Sequence, residues 1–312
     1  MVYSLLSKFA FILLEVIVKK IIAIFLVLTL FASSVFAQIP DEEKVKEGLT
    51  EFVTGLADTV PAVSTMNNVW ADAYVGQLIG VPPHLGTGFS AGLAKMDISG
   101  VKKAAAALGI DSISKLNDNF VLPTISMDFA LGGLFLPFDL TGSFWMMKEP
   151  VSLGGLQYST KSFNVKLRVP ILKQNLVLPN LSLGVGYANN SGEFSVSANK
   201  NLYINTTYSS EIYFADLQVS KSVIFLTPYA GARVLASKSD NSWKYNYKVE
   251  TGISDPFTGG SNDNYKNEDL NIDYQLFAGT SFNFLVVRLN VNAAIDLKSK
   301  LWSAGVGVQV KL

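Results

Sequence analysis

Alternation with a period of two dominates this chain. From Leu270 to Phe284 the sequence reads LNIDYQLFAGTSFNF. Leu270, Ile272, Tyr274, Leu276, Ala278, Thr280, Phe282 and Phe284 alternate with Asn271, Asp273, Gln275, Phe277, Gly279, Ser281 and Asn283. Successive side chains of an extended strand point to opposite faces, so this pattern prescribes one strand with an apolar face and a polar or small face. The same alternation continues through Val287–Leu297 and Trp302–Leu312, and it appears earlier in Phe163–Val169 and Ile125–Leu131.

A soluble sandwich also alternates, so length and spacing must discriminate. The candidate strands run to about 9–15 residues, against the 5–6 usual in soluble domains. Short links near Leu134–Phe138, Lys221–Ile224 and Phe284–Val286 alternate with long polar ones near Gly100–Phe120, Glu149–Gln157 and Glu250–Glu268. That asymmetry suits a membrane barrel, with short turns on one side and long loops on the other. The polar face is rich in Gly, Ser and Asn, which suits a crowded or wet lumen. Candidate strands lie near 70–78, 85–97, 122–134, 139–148, 157–170, 180–197, 207–221, 225–248, 269–284, 286–297 and 301–312. Single-chain bacterial barrels have even strand numbers, so ten or twelve is expected, with 70–78 the weakest member. The expected fold is all-β: a closed antiparallel transmembrane β-barrel of 10–12 strands over residues 67–312, preceded by a short helical segment over 38–66.

Two stretches carry a helical period instead. Pro40-Asp41-Glu42-Glu43 places acids in a first turn, and Val45, Leu49, Phe52, Val53 and Leu56 follow at helical spacing up to Ala57. This helix either lies in the periplasm or plugs the lumen. Ser99 is placed to cap a second helix through Leu108, closed by Gly109, in an outer loop over the mouth.

Lys19-Lys20, the apolar run Ile21–Leu30 and Val35-Phe36-Ala37 before Gln38 form an export signal with cleavage after Ala37. Residues 1–17 precede that finished signal. They read as an over-called start with Val18 as initiator, the alternative being an uncleaved membrane anchor over Phe9–Phe36. Cleavage would leave 275 residues (312 less 37), carrying about 22 basic and 24 acidic side chains. That balance offers no basic patch for nucleic acid. The chain contains no Cys, which excludes disulfides and thiol chemistry.

Over residues 67–312 the chain resembles the bacterial outer-membrane β-barrel class. The last strand, GVGVQVKL, alternates through Val306, Val308, Val310 and Leu312, as does the terminal strand that barrel-assembly machinery reads, although Leu312 stands where an aromatic is usual. A helical segment ahead of a barrel is also similar to the hatch of long-chain fatty-acid transporters. The resemblance implies an outer-membrane location, contact with outer-membrane lipid, passage through the assembly machinery and a monomeric barrel.

His84 is the single histidine and follows Pro82-Pro83. No Ser or Asp partner for it is evident, so no catalytic residue, metal site or cofactor is assigned. The paired glycines Gly86/Gly88, Gly184/Gly186 and Gly305/Gly307 lack the strand-to-helix context of phosphate loops. The acidic stretch Asp255–Asp269 matches no calcium loop and reads as a solvated loop. The residues singled out are the charges on the polar parity of their strands: Asp128, Asp139, Lys166, Arg168, Asp216, Arg233, Asp273, Arg288, Asp296 and Lys311. Facing lipid they would cost several kcal/mol each, so they are expected to line the lumen. There they form either paired charges filling a narrow barrel or a selectivity lining. Passive transport of a small or apolar solute is the first functional expectation. The alternative is a non-conducting barrel presenting loops for structural or adhesive contact.

Overall fold

The computed structural model describes residues 40–65, 70–76, 84–133, 137–249 and 257–311. The export signal lies outside them. Two helices, α1 (Glu42–Ser64) and α2 (Ser99–Ala107), accompany eleven strands. These are β1 (Leu85–Asp97), β2 (Asn119–Gly132), β3 (Asp139–Met146), β4 (Val151–Leu153), β5 (Leu156–Leu172), β6 (Asn180–Asn199), β7 (Leu202–Ser220), β8 (Leu226–Val249), β9 (Phe257–Phe284), β10 (Val287–Asp296) and β11 (Trp302–Lys311).

Ten of them close a barrel. The ladder order is β3-β2-β1-β11-β10-β9-β8-β7-β6-β5, and β3 pairs with β5 from Asp139↔Arg168 to Met146↔Lys161 to complete the circle. All pairs are antiparallel, and β1 joins β11 from Gly86↔Lys311 to Ala94↔Ser303. The three-residue β4 folds back on β5 beyond the barrel wall. Closure leaves no unpaired edge for the hydrocarbon to meet.

The links after β2, β5, β7 and β9 share one end with the start of β1 and the end of β11. The links after β1, β3, β6, β8 and β10 share the other; the first of them carries α2, and the one after β6 is two residues long. By the usual orientation the first end is periplasmic and the second external. Outward side chains form a belt in which Phe89, Ile125, Phe144, Phe163, Val185, Tyr213, Ile272, Val291 and Val306 are all exposed. Lys95, Lys161, Glu211 and Lys238 stand on the same outward parity at its external edge. At the periplasmic edge the belt runs into the turn tips, where Leu176 is 99%, Ile224 94% and Leu285 101% exposed. No helix among the described residues is long and apolar enough to cross a membrane, which leaves strand crossing untouched.

The wall has unequal height. A tilted membrane strand needs about 9–11 residues, yet β6 to β9 have 20, 19, 24 and 28. Their excess stands outside the membrane as a sheet with a polar outer face and an aromatic inner face. This corrects one expectation: most of 250–268 is not a loop, because β9 pairs with β8 from Phe257 onward. Residues 70–76 form no strand. They lie irregularly inside the barrel, with Trp70, Ala71, Asp72, Ala73 and Val75 buried.

Candidate functional site: the occupied lumen

α1 starts in the external vestibule. Asp41 caps it, its carboxylate accepting from Lys44 N at 3.3 Å. The Lys44 ammonium, 2.9 Å away, holds the Asp41 carboxyl below its ordinary pKa. Val45, Leu49, Phe52, Val53 and Leu56 are buried, each worth about 1.5–3 kcal/mol against exposure. They meet the inner face of the tall wall. Phe52 meets Phe194 edge-on at 5.6 Å, and Phe194 stacks on Tyr158 at 4.9 Å. Trp243 and Tyr245 stack at 5.9 Å higher up. α2 crosses α1 at two facing glycines, where a Cβ on Gly48 would lie 2.6 Å from Gly100 O. Lys103 of α2 bonds Glu47 of α1 at 2.8 Å, which raises the lysine's pKa. The residue before α2 is Ile98, not Ser99. Asp97 supplies the carboxylate instead, accepting from Ser99 N at 2.8 Å.

The helix does not stop at Ala57. It continues through Pro61 to Ser64 and enters the lumen. Its last carbonyls have no intrahelical donors, and strand side chains supply them. Gln275 Nε2 donates to Ala62 O (3.0 Å), Asn164 Nδ2 to Ser64 O (3.1 Å) and Arg233 Nη1 to Thr65 O (2.7 Å). Asn190 Nδ2 donates to Ser64 Oγ at 3.0 Å. Arg233 also brings positive charge to the negative end of the helix dipole.

Residues 70–76 occupy the periplasmic half. Gln218 Nε2 donates to Trp70 O (2.7 Å), Ala73 N to Ser220 Oγ (2.8 Å) and Val75 N to Asp139 Oδ2 (2.6 Å). Arg168 forks onto Asp139 at 2.6 and 3.0 Å and donates Nη1 to Asp72 O at 2.8 Å. Asp72 in turn pairs with Arg288 and with Lys311 at 2.6 Å.

All ten charges singled out in the sequence point inward, eight of them fully buried, with Arg288 and Lys311 partly so. They fall into separate groups. Asp216 lies 2.9 Å from Lys166 and 3.0 Å from Arg233. The Arg233 guanidinium sits between the rings of Phe214 and Phe277, at 5.1 and 4.9 Å. Asp273 accepts from Asn271 and lies 3.8 Å from Lys298. Asp296 Oδ1 accepts from Ser299 N and Lys298 N, fastening the β10–β11 link. Asp128 meets two serine hydroxyls. The partners Asp72, Asn164, Asn190, Gln218 and Gln275 are not among the charges that the sequence singles out. For the four strand residues the inward parity is a usable signal. Asp72 has none, because it belongs to no strand.

An eight-stranded barrel is filled by its own side chains. Here ten strands leave more room, and the chain fills it with α1 and residues 70–76. Beside α1 remains a cavity of about 30 Å³ against β2, β3 and β5, lined by Thr124, Ser126, Ser143, Thr160, Ser162 and Asn164. Among the described residues no group of three His, Asp or Glu could hold a metal ion.

Closure, the apolar belt and the inward charges define a β-barrel of the bacterial outer-membrane class. No protein-family model matches the chain, and no curated protein matches it. Solved structures of similar fold include the outer membrane protease OmpT from Escherichia coli, at 7% identity over 74% of this chain and 98% of that one, with a TM-score of 0.42. The translocator domain of the autotransporter NalP from Neisseria meningitidis is 10% identical over 88% and 98%, with a TM-score of 0.37. A Pseudomonas aeruginosa FadL homologue is 9% identical over 86% and 97%, with a TM-score of 0.26.

Proposed function

We propose that the protein is a barrel sealed by its own N-terminal segment, which presents the tall β6–β9 wall and its helices at the cell surface for structural or adhesive contact. One observation carries this reading. The lumen is occupied from the vestibule to the periplasmic end, and the occupying segment is bonded to β3, β5, β7, β8, β9, β10 and β11. Export uses the signal over 18–37 with cleavage after Ala37, and assembly proceeds through β11. The test is planar-bilayer conductance of refolded Gln38–Leu312. The intact chain is expected to give no discrete steps, and deletion of residues 38–76 is expected to introduce them. Reproducible steps from the intact chain would overturn the sealed-barrel reading.

The second reading is passive transport after displacement of α1, and the cavity beside the helix favours it. Hydroxyl and amide groups line it beside Val63, Ile125 and Tyr158, and its size admits water-sized solutes along that route.

A further inference from the structure

Every other aspartate singled out in the lumen is within reach of a cation or fastens a link, but Asp128 does neither. It lies on β2, 1% exposed. Its Oδ2 accepts from Ser90 Oγ of β1 and its Oδ1 from Ser126 Oγ at 2.7 Å. Among the described residues no Lys or Arg comes within 4.0 Å of it, whereas Asp139, Asp216 and Asp72 each have at least one basic partner. A buried carboxylate carries a large desolvation cost unless something compensates its charge, and two neutral hydroxyls do so poorly.

The surroundings supply what a small cation needs. Ser126, which bonds Asp128, also lines the cavity beside α1. Ser143 and Asn164 face the same space, both buried, so oxygen donors from β2, β3 and β5 converge there. Ser143 is the cross-strand partner of Asp128, and Asn164 that of Ser143. About 30 Å³ holds an ion or water of that size, since one water needs roughly 10–15 Å³ measured this way. One carboxylate among neutral oxygens balances a single positive charge. A calcium-type site gathers more carboxylates than this.

We propose that the oxygens of Ser126, Ser143 and Asn164 bind a monovalent cation in this cavity, between α1 and the β2–β3–β5 wall, with Asp128, behind Ser126, as its countercharge. The ion neutralises Asp128 and keys the helix to that side of the barrel. This assignment holds whether or not the barrel conducts.

The test is urea unfolding of the intact refolded barrel in micelles at mildly alkaline pH and constant ionic strength. Sodium chloride is compared with the chloride of N-methylglucamine, a cation too large for the cavity. With sodium at about ten times its Kd, the folded-to-unfolded ratio is expected to rise about elevenfold over glucamine. In Asp128→Asn the two salts are expected to give the same ratio. Equal stability of the wild type in both salts, or an undiminished sodium effect in Asp128→Asn, would overturn the assignment. Should Asp128→Asn fail to fold, sodium NMR of the wild type decides. Line broadening beyond that of empty micelles, reduced by Ser126→Ala, supports the site, and its absence refutes it.

Discussion

Replacing Arg168 by methionine removes three hydrogen bonds at once, two to Asp139 and one to Asp72 O. Methionine keeps much of the aliphatic bulk, so the loss is chiefly electrostatic. Asp139, fully buried, keeps the Val75 N–H as a donor but loses its countercharge. Stranding one member of a buried pair costs about 3–5 kcal/mol, and the vacated Asp72 carbonyl adds about 1 kcal/mol. The single variant should therefore lose about 4–6 kcal/mol. Removing the stranded charge as well, in Arg168→Met/Asp139→Leu, should restore about 3 kcal/mol. The remaining deficit reflects the unbonded Val75 N–H and Asp72 carbonyl. Urea unfolding of the refolded barrels measures both, with unchanged slopes showing that the same surface is exposed. A loss below about 1 kcal/mol, or a double variant as weak as the single one, would refute the claim that this pair secures the 70–76 segment.

Two further outcomes follow from the geometry. Because the chain contains no Cys, single-cysteine variants report cleanly: Asp41→Cys should react with a membrane-impermeant maleimide on intact cells, and Leu285→Cys should react only after the outer membrane is opened. The reverse pattern would mean that the end bearing Leu285 faces outward. Gly48→Leu should loosen α1 from α2 at an overpacking cost of about 1–3 kcal/mol, read as faster proteolysis of α2 in the folded barrel; unchanged proteolysis would contradict the close crossing at Gly48 and Gly100.

The barrel is legible because lipid outside and charge inside impose one parity on every strand. Ile272 and Asp273 differ in polarity for that reason, and so do Leu167 and Arg168. Parity is blind beyond the membrane. From Gly259 to Asn264 both faces of β9 carry polar or small residues, since one meets water and the other a crowded vestibule, and the stretch reads as loop. Pro61 makes Ala57 look like the end of α1. The helix runs on because Gln275, Asn164 and Arg233 receive its final carbonyls, and those donors come from strands a hundred or more residues away. Inward charges can be named from the sequence, but their pairing cannot. That Arg288 and Lys311 share Asp72 depends on a segment whose only sequence signal, weak alternation over 70–78, points to a strand.

The direction in which α1 runs constrains how the molecule can be assembled. The chain comes in from the external end, passes down the interior and leaves at the periplasmic end to begin β1, so it traverses a ring made of its own later residues. A helix about 10–12 Å across with side chains fits the closed ring as contents, not as something threaded through afterwards. The ring must therefore shut around it. The natural last seam is β1 against β11, whose partners Gly86 and Lys311 lie at opposite ends of the barrel sequence and meet late for that reason. Until that seam forms, α1 and residues 70–76 have an open trough to settle into. Any tag or fused domain placed ahead of Asp41 has to reach the external side before the seam closes, so its bulk would be felt as slow or failed assembly more than as lost stability.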